Sequence, residues 1–248
     1  MPSVSKRRKS DRQIDFQTVL DGIAKAVKGD LKKGRVATYI PDLARVPKSK
    51  FAMAVLCNDG RQAACGDADE AFSIQSVSKV FTLTMALRAE GTSLWRRVGR
   101  QPSGNRFNSL IQLEYELGIP RNPLINAGAH VVTDSIVNRD PNGKQAILDH
   151  VRRLAGNKKI KFDEEVARSE RAAGHWNAAI ANFLKAHGNL KSDVDRVLDA
   201  YFHQCSIAMS CRDLVRAGSF LANRGVDQRT GERITTVRES KRINAVMM

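Results

Sequence analysis

Phe72-Ser73-Ile74-Gln75-Ser76-Val77-Ser78-Lys79 is the stretch on which the reading of this chain turns. An apolar-rich run leads into Ser76, and Lys79 follows three positions later. The spacing predicts a helix that starts here, with Ser76 and Lys79 on one face, because positions i and i+3 are neighbours on a 3.6-residue helix. That face would sit at a helix N-terminus, where free N–H groups and the macrodipole favour developing negative charge. A serine that attacks an acyl carbon needs a nearby amine to take its proton and a positive end to hold the oxyanion. Nowhere else does the sequence offer a nucleophile, a base and an anion hole together.

The tetrapeptide by itself has a plainer explanation, an N-capping serine followed by a solvated lysine. The same holds for other chemistry-bearing residues taken singly. Asn126 and Asn177 suit turns or caps. Glu170 could pair with Arg168 or Arg171 on a wet surface. Tyr201 falls in an amphipathic helical pattern and suits a core. What changes the balance is the company these residues keep.

Several blocks occur in one order: Gly34 to Pro41 (GRVATYIP), Phe72 to Lys79, Gly99, Pro102-Ser103-Gly104, Phe107 to Leu110 and Pro120 to Ala129 (PRNPLINAGA). Ser169-Glu170, Asn177 to Ile180, Tyr201 to Ser206 (YFHQCS) and Leu221-Ala222-Asn223 follow. From about Gly34 to its last residue the chain resembles the serine-dependent glutaminase family. The resemblance implies hydrolysis of L-glutamine to L-glutamate and ammonia, on an α+β fold of the β-lactamase/transpeptidase-like type, with a helix-rich body beside an antiparallel sheet. It implies Ser76 as nucleophile and Lys79 as its activating base. It also makes Tyr39, Ser76, Asn126, Glu170, Asn177 and Tyr201 the contacts to L-glutamine. No metal or organic cofactor is implied, and a homo-oligomer, dimer or tetramer, is expected. The chemistry of the substrate agrees. Glutamine carries an ammonium, a carboxylate and a neutral amide, so Glu170 suits the first, while two amides and two phenols can donate to the oxygens. A site that pairs all of these rejects analogues leaving a buried polar group unpaired.

Composition is that of a globular chain. At 248 residues, 42% of them hydrophobic, it is long enough for a substantial core. No apolar run approaches the roughly 20 residues of a membrane span, and no membrane partner is expected. The N-terminus lacks the apolar segment of a secretory signal. Cys57, Cys65, Cys205 and Cys211 have neither paired zinc-site spacings nor the density of a disulfide framework, so a reducing cytoplasm is expected. Of the net charge of +15, residues 1–50 hold +8, thirteen Lys and Arg against five Asp. Lys6-Arg7-Arg8-Lys9 is the densest run and reads as a disordered, solvated tail. Aromatic content of 6% and the lack of a nucleic-acid motif argue against nucleic acid as a partner.

Four segments are expected: a basic tail at 1–14, a helix and hairpin at 15–65, a helical body at 66–225, and the start of a C-terminal α/β part at 226–248. Phe16 to Val27 has a helical period. Phe51 to Cys57 alternates into Asn58-Asp59-Gly60, a hairpin turn, and returns through Cys65. Helices are expected from Ser76 to about Ala89 and at Leu110–Leu117, Ala127–Asn138, Lys144–Leu154, His175–Ala186, Ser192–Cys205 and Ser210–Asn223. Gly156, Gly188 and Gly225 stand just past three of these, where a left-handed residue ends a helix. Thr236 followed by Glu239 is a capping box, and Val237, Ile243, Val246 and Met247 begin an apolar face. That helix meets no stop signal before Met248, and the family's Cys-Gly-x-Tyr segment and Lys-Ser-Gly strand do not occur, so a truncated C-terminal part and an exposed sheet edge are expected. Two other readings stay open. One is a glutaminase-like fragment with impaired catalysis, serving only in binding or assembly. The other is a hydrolase of the penicillin-recognising group, which the lack of Ser-Asp-Asn and Lys-Thr-Gly triplets disfavours.

Overall fold

A computed structural model describes residues 14–248, so the tail reading at Lys6 to Lys9 lies outside the described residues. Helix α1 (Phe16–Val27) opens on Asp15, whose carboxylate accepts from the Gln17 and Thr18 amides at 3.0 and 3.3 Å. This cap satisfies two of the helix's orphan donors. The hairpin follows, with β1 (Ala52–Leu56) antiparallel to β2 (Gln62–Gly66) from Ala52↔Gly66 to Leu56↔Gln62. Its turn closes through Gly60, whose φ of 86° only glycine adopts freely. The Gln17 amide donates to the Ala64 carbonyl at 3.0 Å and ties α1 to β2.

The chain then builds β3 (Phe72–Ser73), a single 3-10 turn at Gln75–Val77, and α2 (Ser78–Glu90). The expected helix is there, but its first turn is the tighter 3-10 form, and Gly91 ends it. α3 (Leu110–Tyr115) is two residues shorter than the apolar pattern suggested, because Leu117 and Gly118 both turn to positive φ. Next come α4 (Asn126–Arg139), α5 (Gly143–Ala155), β4 (Lys161–Phe162) and α6 (Glu164–Ala172). The chain finishes with α7 (His175–Ala186), α8 (Val194–Cys205), β5 (Ile207–Met209), α9 (Cys211–Ala222) and α10 (Val237–Met247). Gly156, Gly188 and Gly225 have φ of 68°, 68° and 84°, as left-handed helix ends require.

Two helices form the centre. α2 packs on α4, and α5, α7 and α8 close around α4. Every residue from Ala127 to Val137 is buried, and α2 buries Phe81, Leu83, Ala86 and Leu87. Neither helix has a wet face, which is how a core helix differs from an amphipathic surface one. The capping box of α10 forms in both directions, between Thr236 and Glu239. Its apolar face is narrower than the sequence suggested: Ile243 is buried, whereas Val237 and Met247 stay exposed.

A second sheet, of order β3-β5-β4, was not legible beforehand. It pairs Phe72 with Met209 and Lys161 with Ala208. The Ile74 amide extends it by donating to the Ile207 carbonyl at 2.9 Å. This clamp fixes the backbone one residue before the 3-10 turn that carries Ser76, and it brings the end of α8 alongside.

Candidate active site

Where the 3-10 turn meets α2, a cleft of about 370 Å³ opens between that turn, the 107–108 loop, α4, α6, α7 and α8. Its volume lies at the small end of ordinary ligand sites. Tyr39, Ser76, Asn126, Glu170, Asn177 and Tyr201 all line it. Six residues spread over 163 positions of sequence thus share one wall. The seventh candidate, Lys79, is 1% exposed and lies behind Asn126 rather than on the cleft surface.

Ser76 and its neighbour Ser78 are not equivalent. Ser76 is exposed into the cleft, whereas Ser78 is fully buried and donates its hydroxyl to the Gln75 carbonyl at 2.7 Å. Only Ser76 has a hydroxyl that a ligand could meet. Gln75, just before it, holds a φ of 49°, a left-handed conformation that side chains other than glycine rarely adopt. The Gln75 side-chain amide donates to Ser73 Oγ at 3.1 Å, and the same side chain favours the charged form of Glu170. Sequence reading assigned Gln75 no role. Its sole signal was its place beside the serine.

Lys79 Nζ has two acceptors, the Leu124 carbonyl at 3.1 Å and Asn126 Oδ1 at 2.7 Å. The Asn126 amide in turn donates to Asn177 Oδ1 at 3.0 Å. The described hydrogen bonds give Lys79 no direct link to Ser76; its amine is turned toward α4 instead. The Phe107 ring faces the amine at 5.4 Å. Burial lowers the Lys79 pKa to about 8, with the Glu170 charge opposing the shift. Burial also raises Glu170 to about 7, while the Gln75 hydrogen bond and the Lys79 charge pull it back. Tyr201 is pushed well above its ordinary range, chiefly by burial, and stays a neutral phenol. Ile40, Phe107, Asn108, Ala173, Gly174, Trp176 and Cys205 complete the lining; Ile40, Phe107, Asn108 and Cys205 fall within the sequence blocks quoted above, whereas Ala173, Gly174 and Trp176 do not.

A glycine holds the Lys79 acceptor in place. A Cβ on Gly128 of α4 would lie 1.9 Å from the Asn122 carbonyl oxygen and 2.7 Å from Pro123 Cα. The bare backbone lets the turn before α4 lie against the helix and present Leu124 to Lys79. We expect Gly128→Ala to cost more than the roughly 1–3 kcal/mol of ordinary overpacking, because backbone has to move. At about 2–4 °C per kcal/mol, a thermal melt reads this easily, and an unchanged melting temperature would show the turn to be free to shift.

A family model described as Glutaminase matches residues 34–248. The chain is 50% identical over 238 residues to a glutaminase of Rhizobium leguminosarum bv. trifolii (strain WSM2304), covering 94% of this chain and 76% of that protein. The chain belongs to the glutaminase family. Solved structures agree with the assignment. A structure described as "Probable glutaminase ybaS" superposes with a TM-score of 0.87 at 35% identity, covering 94% of this chain and 75% of that one. A Bacillus subtilis structure, "Probable glutaminase … complexed with 6-diazo-5-oxo-L-norleucine", superposes at 0.82 and 27% identity, covering 98% and 75%. The α+β, β-lactamase-like fold expected from the sequence is the fold of this glutaminase. Among the described residues, no helix is long and apolar enough to cross a membrane.

Proposed function

We propose that this glutaminase hydrolyses L-glutamine to L-glutamate and ammonia through a γ-glutamyl ester on Ser76, with Lys79 as the activating base. The observation that carries the reading is the disposition of the Lys79 amine. A neutral amine has two N–H donors and one lone pair. Its two acceptors, Leu124 O and Asn126 Oδ1, account for both hydrogens. The lone pair is then left for a proton from Ser76, one helical turn away. The lowered pKa gives a usable share of neutral amine near neutrality.

Ser76 Oγ attacks the side-chain carbonyl carbon of glutamine as Lys79 takes the hydroxyl proton. The oxyanion forms against the 3-10 turn, where the Ser76 backbone N–H can donate to it; the Val77 and Ser78 amides already donate to the Ile74 and Gln75 carbonyls. The C–N bond breaks, the nitrogen receives the proton from Lys79, and ammonia leaves. Water then cleaves the ester by the same proton route and restores the hydroxyl. Glu170, as carboxylate, suits the α-ammonium. Asn177, Tyr39 and Tyr201 suit the carboxylate and the carbonyl oxygen. No step calls for a metal or organic cofactor.

6-Diazo-5-oxo-L-norleucine tests the reading, since the diazo carbon beside its carbonyl takes up a proton and then loses N2 as a nucleophile poised there bonds to that carbon and stays covalently attached. Peptide mass spectrometry should find the adduct on Ser76 and none on Ser76→Ala protein. Labelling elsewhere, or none beside active ammonia release, would dismiss Ser76 as nucleophile. Four free cysteines support a reducing, cytoplasmic setting. Exposed Phe107, Ile111, Tyr115, Leu117 and Ile119 support self-association through α3 and its flanking loops.

A further inference from the structure

His130 lies on α4 one turn beyond Asn126, and positions i and i+4 share a helix face. It is fully buried. Its ring meets the Tyr201 ring edge to face, with centroids 4.4 Å apart and planes at 85°. Neither of its ring nitrogens has a hydrogen-bond partner among the described residues. Burial and the nearby Lys79 cation lower its pKa to about 3, so it is a neutral imidazole carrying one N–H. A polar group held dry and unpaired is destabilising, and an apolar side chain of similar volume is usually the more stable choice. The packing alone gives no reason for a histidine here. What it touches does: Tyr201 is 2% exposed and forms part of the cleft wall.

We propose that His130 is a positioning residue for Tyr201, its imidazole ring setting the angle at which the phenol faces the bound amino acid. Edge-to-face rings have a preferred geometry, and an aliphatic neighbour imposes none. The same α4 face therefore orients two elements of the site, the Lys79 amine through Asn126 and the Tyr201 phenol through His130. The inference rests on Tyr201 being a substrate contact, and its test separates the two claims.

His130→Leu and His130→Phe are compared for kcat, KM for L-glutamine and melting temperature, alone and combined with Tyr201→Phe. The Leu variant should raise KM about tenfold, the factor given by one ordinary hydrogen bond misplaced, with kcat changed much less. It should also melt roughly 2–4 °C higher, since an unpaired buried polar group has gone. The Phe variant, which keeps an aromatic ring, should stay within about threefold of the unaltered protein in KM. In the Tyr201→Phe background the Leu substitution should change KM less than about twofold, because its route runs through the phenol. A Leu variant with unchanged KM, while Tyr201→Phe alone raises it, overturns the role of His130. So does a Leu effect of equal size in both backgrounds, or a Leu variant that fails to fold, which would make the imidazole a packing residue. A Tyr201→Phe protein with unchanged KM instead removes Tyr201 from the substrate contacts.

Discussion

Ser76→Ala is expected to abolish glutaminase activity, with kcat falling by roughly 10⁴-fold or more, the range seen when a covalent nucleophile is removed. The reason is local. Alanine leaves the cleft, the helix start and the Lys79 amine in place but removes the atom proposed to become the ester oxygen. Any residual turnover would have to come from direct attack by water on a positioned substrate, a slower route with no covalent intermediate. Stability should barely move, within about 0.5 kcal/mol, since Ser76 is exposed into the cleft and nothing packs on it. Ammonia release from L-glutamine, measured beside a melting curve, reads both halves. Equal turnover by the two proteins would end the acyl-enzyme scheme. Ser78→Ala is the internal comparison. That hydroxyl is buried and bonded to the Gln75 carbonyl, so its loss should act on stability before it acts on chemistry.

Lys79→Met should lower kcat by about 10²–10⁴-fold, the usual contribution of a positioned proton acceptor. Methionine fills similar volume, so the comparison isolates the amine. The accompanying pH profile has a determined sign. In the proposed mechanism the base is the neutral amine, so its active fraction should grow as pH rises through about 8. The same proposal has Glu170 meet the substrate ammonium as a carboxylate, a form that grows as pH rises through about 7. Both effects point the same way. For the unaltered protein kcat/KM should climb from pH 6 to pH 9 by roughly 10²–10³-fold, since each unit below a required pKa loses a factor of about ten and pH 6 lies about two units below Lys79 and one below Glu170. In the Lys79→Met protein one of the two ionisations should vanish, leaving that of Glu170. Its midpoint should move upward, because the Lys79 cation that helped hold the carboxylate charged is gone. A profile with the same two ionisations in both proteins would assign the base elsewhere.

The sequence by itself determined what is local. Asp15 caps α1 from the position just before it, Gly60 closes a hairpin whose strands alternate, and Gly156, Gly188 and Gly225 end helices in a left-handed conformation. Each depends on the conformational preferences of a few adjacent residues, which no distant contact has to supply. The ordered blocks around Ser76, Asn126, Glu170, Asn177 and Tyr201 were likewise legible as a family pattern, and the fold brings those residues to one cleft.

Tertiary structure decided the rest. β3 and β4 are two residues long and β5 three, too short to show a period, and they exist because Ile207 to Met209 runs between them. α6 is mostly polar and is held by its Asp163 cap and its burial of Val166 and Ala167. The direction of the Lys79 amine, toward Leu124 and Asn126 rather than straight at Ser76, follows from how α4 and its preceding turn pack on α2. The shifts of Lys79 and Glu170 arise chiefly from burial, and His130 reads as one more helical residue until α4 and α8 close around it. Water exclusion is a property of the assembled fold, and it is what moves Lys79, Glu170 and His130 away from the ionisation they would have in water.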